Sequence, residues 1–222
     1  MRKLAKAIEW AIEYQDWYGN KPQRVYNSSA NKYYYDVLYE LLLIQGGICA
    51  YTEYRLISKD HLETLKAGFE NGKYASGFHP DVPADIEHFD KKLKQGNGWD
   101  WSNLFAVEKF TNMKKNHLED VHGIDEILKP DHPEFAPFRL LRYNKSEHCF
   151  EANKEKISEE EAIRVSKMLI VLGVNNDFIK MKRREFLEEM LDYLEFRPEK
   201  IDIHQFPTAY AMLTAQNSSP AR

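Results

Sequence analysis

At 222 residues, 43% hydrophobic and 30% charged, the chain has room for one large domain or two small ones and can bury a real core. It holds no apolar run of about eighteen residues that could span a bilayer. A net charge of −4 and a pI near 6.1 exclude a globally basic nucleic-acid binder, and two cysteines, Cys49 and Cys149, are too few for a disulfide framework or a four-cysteine zinc site.

The chain starts Met-Arg-Lys-Leu-Ala-Lys-Ala, without the apolar core of an export signal, so a cytoplasmic location with reduced thiols is expected. Leu4, Ala7, Ile8, Ala11 and Ile12 recur at helical spacing and predict a helix over 3–17. A second helix is expected over 31–44, stopped by Gly46-Gly47. Ile48 to Tyr51 then reads as a short strand. A third helix is expected over 59–70, and Gly77 to Pro83 as loop. Ala84 to Phe89 reads as a strand, and Lys94 to Gly98 as a turn-rich loop. From Ser102 or Asn103 to His117 the pattern predicts a helix.

Phe138 to Tyr143 and Cys149 to Ala152 can pair as a hairpin across Asn144-Lys145-Ser146. Ser158-Glu-Glu-Glu161 is a capping box for a helix that runs to Leu172. Asn176 or Asp177 caps a long helix to about Glu195, and a last helix is expected over 208–215. The sum is an α+β chain, predominantly helical with a few short strands. Its expected divisions are an N-terminal helical segment over 1–47, a central core over 48–130, a C-terminal hairpin with helices over 131–215, and a disordered tail over 216–222.

Charge is distributed unevenly. Lys91, Lys92, Lys94, Lys109, Lys114 and Lys115 crowd one stretch, and Lys180, Lys182, Arg183 and Arg184 form another. Such patches bind phosphates even on an acidic protein, although most are simply solvated helix faces.

Three features within about thirty residues carry chemistry. Glu87-His88 ends a predicted strand. Asn103 follows Trp99-Asp-Trp-Ser102. Asn112 and Asn116 lie one helical turn apart, on one face. A strand packed on that face brings the Glu87 carboxylate near the amide oxygens, hard ligands suited to Mg²⁺ or Mn²⁺. The neighbouring imidazole then serves as base for a water molecule, since unperturbed histidine titrates near pH ~6.5. Phosphodiester hydrolysis needs such a base and a cation on the phosphate oxygens, and Lys114 and Lys115 can hold flanking phosphates, with Lys91 and Lys92 close in sequence.

The stretches Asp85-Ile-Glu-His-Phe-Asp-Lys-Lys92, Trp101-Ser-Asn-Leu-Phe105 and Thr111-Asn-Met-Lys-Lys-Asn116 together resemble the HNH (ββα-metal) endonuclease motif. Cys49-Ala-Tyr-Thr-Glu53, Asp131-His-Pro-Glu134 and Leu172-Gly-Val-Asn-Asn176, followed by Arg183 or Arg184, extend the similarity to the PtuB nucleases of Septu defence systems and their retron-associated relatives. The resemblance implies a ββα-metal core, His88 as general base, Glu87 and Asn112 as metal ligands, and Asn103 as the residue that orients the base and its loop. Asn116 falls where some HNH sites place an extra ligand. It also implies DNA as substrate, Mg²⁺ or Mn²⁺ as cofactor, antiviral defence as setting, and an ATPase subunit of the PtuA kind as partner. The chain itself has no Gly-x-x-x-x-Gly-Lys-Ser/Thr loop.

One departure stands out. Many relatives carry two Cys-x-x-Cys pairs for a structural zinc, whereas the matching positions here are Cys49 and Thr52, then Glu108 and Thr111. One thiol does not hold a tetrahedral zinc in the usual way, so structural zinc is expected to be absent. Two other functions remain open on sequence. A ribonuclease, for example one cleaving tRNA, can use the same site, and an inactive interaction module can keep the scaffold.

Overall fold

The computed structural model describes residues 1–5, 33–70, 73–74, 81–96, 98–196 and 202–218. The chain divides into two compact units, one of residues 4–49 and 56–112, the other of 1–3, 50–55 and 113–222. The later boundary falls after Asn112, earlier than the division expected near residue 130. The described residues form a helical α+β fold with three two-stranded antiparallel sheets. Among them no helix is long and apolar enough to cross a membrane.

In the first unit, α1 (Tyr34–Gln45) ends where expected, at Gly46 with φ 63°. Gly47 (φ 73°) must stay glycine, because a Cβ there meets the Ile57 carbonyl oxygen at 2.7 Å. Ile48 to Tyr51 is not a strand. Ile48 makes an isolated bridge, and a turn follows from Ala50. Helix α2 (Lys59–Ala67) is capped by the Ser58 hydroxyl, which accepts from His61 N at 3.1 Å. It stops short of residue 70, and β1 (Phe69–Glu70) pairs with β2 (Lys73–Tyr74).

Strand β3 (Ala84–His88) pairs antiparallel with β4 (Leu104–Glu108), with Ile86 opposite Ala106 and His88 opposite Leu104. Helix α3 (Lys109–His122) follows directly. The helix expected from Ser102 or Asn103 is therefore a strand over Leu104–Glu108. Leu104, Phe105, Ala106 and Val107 are all fully buried, and a short apolar run buried on both faces has no period to separate strand from helix. The switch comes at Glu108, whose carboxylate accepts from Phe110 N and Thr111 N, each at 2.8 Å, and from the Thr111 hydroxyl at 3.1 Å. Glu108 and Thr111 are thus occupied in starting this helix.

Helix α1 grips both strands of the hairpin. The buried Gln45 amide donates to Ala106 O (2.7 Å) and Ile48 O (2.8 Å), and its oxygen accepts from Ala106 N (2.9 Å). Ile86 N donates to the Tyr34 hydroxyl at 3.4 Å. These bonds fix the ribbon that carries the candidate site.

In the second unit, a helical turn α4 (Pro137–Leu140) takes up Phe138 to Leu140, expected as strand, and leads into β5 (Leu141–Asn144), which pairs with β6 (Cys149–Ala152) in the expected hairpin. Helix α5 (Glu159–Val171) begins with the predicted capping box on Ser158 and Glu161. Helix α6 (Asp177–Phe196) is capped by Asn176, whose side-chain oxygen accepts from Ile179 N at 3.0 Å. Helix α7 (Pro207–Ser218) extends three residues past Ala215. The start of the expected tail, Gln216 to Ser218, is therefore helical, while 219–222 lie outside the described residues, as do 6–17 of the expected first helix.

Arg183 anchors this unit and is no part of a basic surface. It is fully buried. Its guanidinium donates to His148 O and Val174 O, both at 2.8 Å, and lies 4.8 Å from the Phe150 ring centre and 5.4 Å from that of Phe206. Glu53 is a second buried anchor. Its carboxylate accepts from Thr208 N (3.0 Å) and the Thr208 hydroxyl (2.6 Å).

Candidate metal and nucleic-acid site

The residues singled out on β3, β4 and the start of α3 fall within one compact unit. Strand β3 presents side chains alternately, so Asp85 and Glu87 leave one face and His88 the other. Glu87 and His88 are both fully buried, whereas Asp85 is half-buried. His88 is the last residue of the strand, and its Nε2 lies 2.6 Å from the Gly98 carbonyl oxygen. A carbonyl only accepts, so the imidazole proton belongs on Nε2, and in the neutral ring the lone pair belongs to Nδ1.

Asn103 holds the loop that starts one residue beyond His88. Its side-chain oxygen accepts from Asp90 N and its amide donates to Asp90 O, both at 2.9 Å. Backbone bonds Phe89 N to Asn103 O (2.8 Å) and Asn103 N to Asp100 O (2.9 Å) complete the clamp. Asp90 in turn caps the 3₁₀ turn Lys91–Gln95 by accepting from Lys92 N at 2.9 Å. Lys91 and Lys92 therefore stand on a loop whose base is fixed beside His88. Replacing Asn103 by Ala removes both side-chain bonds to Asp90, an expected loss of about 1–3 kcal/mol. Urea denaturation checks this, and a midpoint equal to that of the parent would show that the clamp holds nothing.

Asn112 sits on the first turn of α3. Its Nδ2 lies 3.5 Å from Asp85 Oδ2, so the helix-borne amide meets a strand-borne acid. That acid was not singled out on sequence. The signal was available, because Asp85 is two residues before Glu87 and shares its face of the strand. Asn116 lies one turn further along α3, and Lys114 is half-buried on the same helix. Lys115 does not suit a phosphate contact. Its side chain is fully buried, and its ammonium pairs with Glu119 at 2.5 Å. The helical spacing that turned Lys114 outward turned Lys115 inward.

Among the described residues no three His, Cys, Asp or Glu side chains converge as a ready ion cluster. The donor set is instead mixed: two carboxylates on one strand face and an amide on the helix beside one of them. Glu87 is fully buried on the strand face that also carries Asp85, and carboxylate and amide oxygens are the donor types that a hard divalent ion takes.

Neither a protein-family model nor a curated protein matches this chain. What the site does is therefore argued from its own chemistry.

Proposed function

We propose that the chain is a metal-dependent endonuclease of the HNH type that hydrolyses DNA phosphodiester bonds. The observation that carries this reading is the β3–β4 hairpin, in which Asn103 clamps both backbone groups of Asp90, two residues beyond a histidine tautomerised by Gly98. The clamp fixes the loop beside a histidine at the end of a strand whose opposite face carries two acids.

In this reading His88 Nδ1 accepts the proton of the attacking water, and the Gly98 carbonyl keeps the ring in the required tautomer as the positive charge develops. Asp85, Glu87 and Asn112 would hold Mg²⁺ or Mn²⁺. When bound, the ion supplies positive charge for the phosphate oxygens on which negative charge builds. Lys91 and Lys92 hold the flanking phosphates. The sequence resemblance adds the setting: antiviral defence of the Septu kind, beside an ATPase subunit.

The test is Mn²⁺ calorimetry combined with cleavage of matched DNA and RNA. The parent chain is expected to bind about one ion and to cut DNA in preference to RNA, with cleavage lost in EDTA. Asp85→Ala and Asn112→Ala are each expected to weaken Mn²⁺ at least tenfold. Metal affinity unchanged in both variants would remove the site from consideration, and cleavage of RNA alone would make the chain a ribonuclease.

A further inference from the structure

The turn between β5 and β6 closes with His148 at φ 49°, in the left-handed region. Glycine fills such a position at least cost, yet the chain keeps a histidine there. It holds that histidine twice. Arg183 donates to its carbonyl at 2.8 Å, and the Tyr143 hydroxyl lies 3.1 Å from its Nδ1. Burial pushes the Tyr143 phenol up to about 12, so the hydroxyl keeps its proton at neutral pH. Burial also lowers His148 from its ordinary value and favours the neutral ring. The result is a histidine fixed in backbone and ring orientation.

That ring lines a cavity of about 880 Å³ formed by the β5–β6 hairpin, α6 and α7. The volume lies in the range of small-molecule sites, ~300–1,000 Å³. Leu187, Leu191 and Leu213 supply an apolar wall. Arg142, Lys145 and Arg184 supply cations, against one lining carboxylate, Glu188. Arg184 pairs with Glu188 at 3.3 Å and Arg142 with Glu151 at 2.7 Å, but both pairs are exposed and exchange readily for a phosphate. An apolar wall, a neutral N–H donor and a cationic rim together suit a ligand with a flat heteroaromatic part and a phosphorylated part.

We propose that this cavity binds a free nucleotide, its base against Leu191 and His148, and its phosphates on Lys145, Arg184 and Arg142. The cavity belongs to the unit of residues 113–222 and does not depend on the reading of the β3–β4 site.

The full chain is titrated by calorimetry with ATP, GTP, CTP, UTP, AMP and inorganic phosphate, and by anisotropy with a labelled oligo-dT. Saturable one-to-one binding of at least one nucleotide is expected, at least tenfold tighter than phosphate. The double variant Lys145→Glu/Arg184→Glu, at two exposed positions, is expected to weaken it at least tenfold with an unchanged melting temperature. His148→Gly, which suits the turn, is expected to weaken it likewise, and His88→Ala to leave it as it is. No nucleotide binding at millimolar concentration overturns the proposal. So does phosphate binding as tight as nucleotide binding, affinity untouched by both cavity variants, or capture of the oligonucleotide without any free nucleotide.

Discussion

His88→Ala is expected to lower DNA cleavage by about 10²–10⁴, the usual worth of a positioned general base, while the protein stays folded. The two effects separate because they draw on different atoms. In the proposed reaction Nδ1 is the base, whereas the bond to Gly98 O uses Nε2. Losing that bond and the buried ring is expected to cost about 1–3 kcal/mol, which shifts the denaturation midpoint without abolishing the fold. His88→Gln keeps an amide donor in the ring's place but offers no base, so it is expected to be more stable than the alanine variant and equally slow. Single-turnover cleavage and urea melts of the two variants check this. A glutamine variant that cuts like the parent, or an alanine variant that does, would remove His88 from the reaction.

The largest effect on stability is expected at Arg183. Arg183→Ala leaves the carbonyls of His148 and Val174 without their donor inside the core, and takes a cation off two aromatic faces. Burial lowers its pKa to about 10, so the group is still charged at neutral pH, and its removal also empties the space of a large side chain. The expected loss is about 3–5 kcal/mol. Arg183→Lys is expected to recover only a small part, because an ammonium cannot span both carbonyls with a planar fork. Guanidinium denaturation measures both, and a loss below about 1 kcal/mol for the alanine variant would contradict this role.

The sequence made the parts of the candidate site easier to see than their arrangement. Helices with explicit stop or start signals were legible: Gly46 ends α1, Ser158 and Glu161 open α5, and Asn176 opens α6. Strand β4 was not, because four buried apolar residues in a row give neither a period of two nor one of 3.6. Glu108 looks on sequence like a lost zinc ligand, and only the fold shows it capping α3. The alternation that puts Asp85 on the face of Glu87 was legible, but its contact with Asn112 spans 27 residues and follows from strand pairing, which local pattern does not encode. Lys115 and Arg183 were misplaced for a shared reason. A charge run is read as surface, while helical rotation sends one member of the run into the core, where it survives by meeting Glu119 or backbone carbonyls.

The grip of α1 on the β3–β4 hairpin has a further consequence. A two-stranded ribbon ordinarily offers two open edges to any passing strand. Here the outward N–H of Ile86 and both outward groups of Ala106 are already taken by Tyr34 and Gln45. A peptide cannot lengthen this sheet by augmentation at those positions without first peeling α1 away.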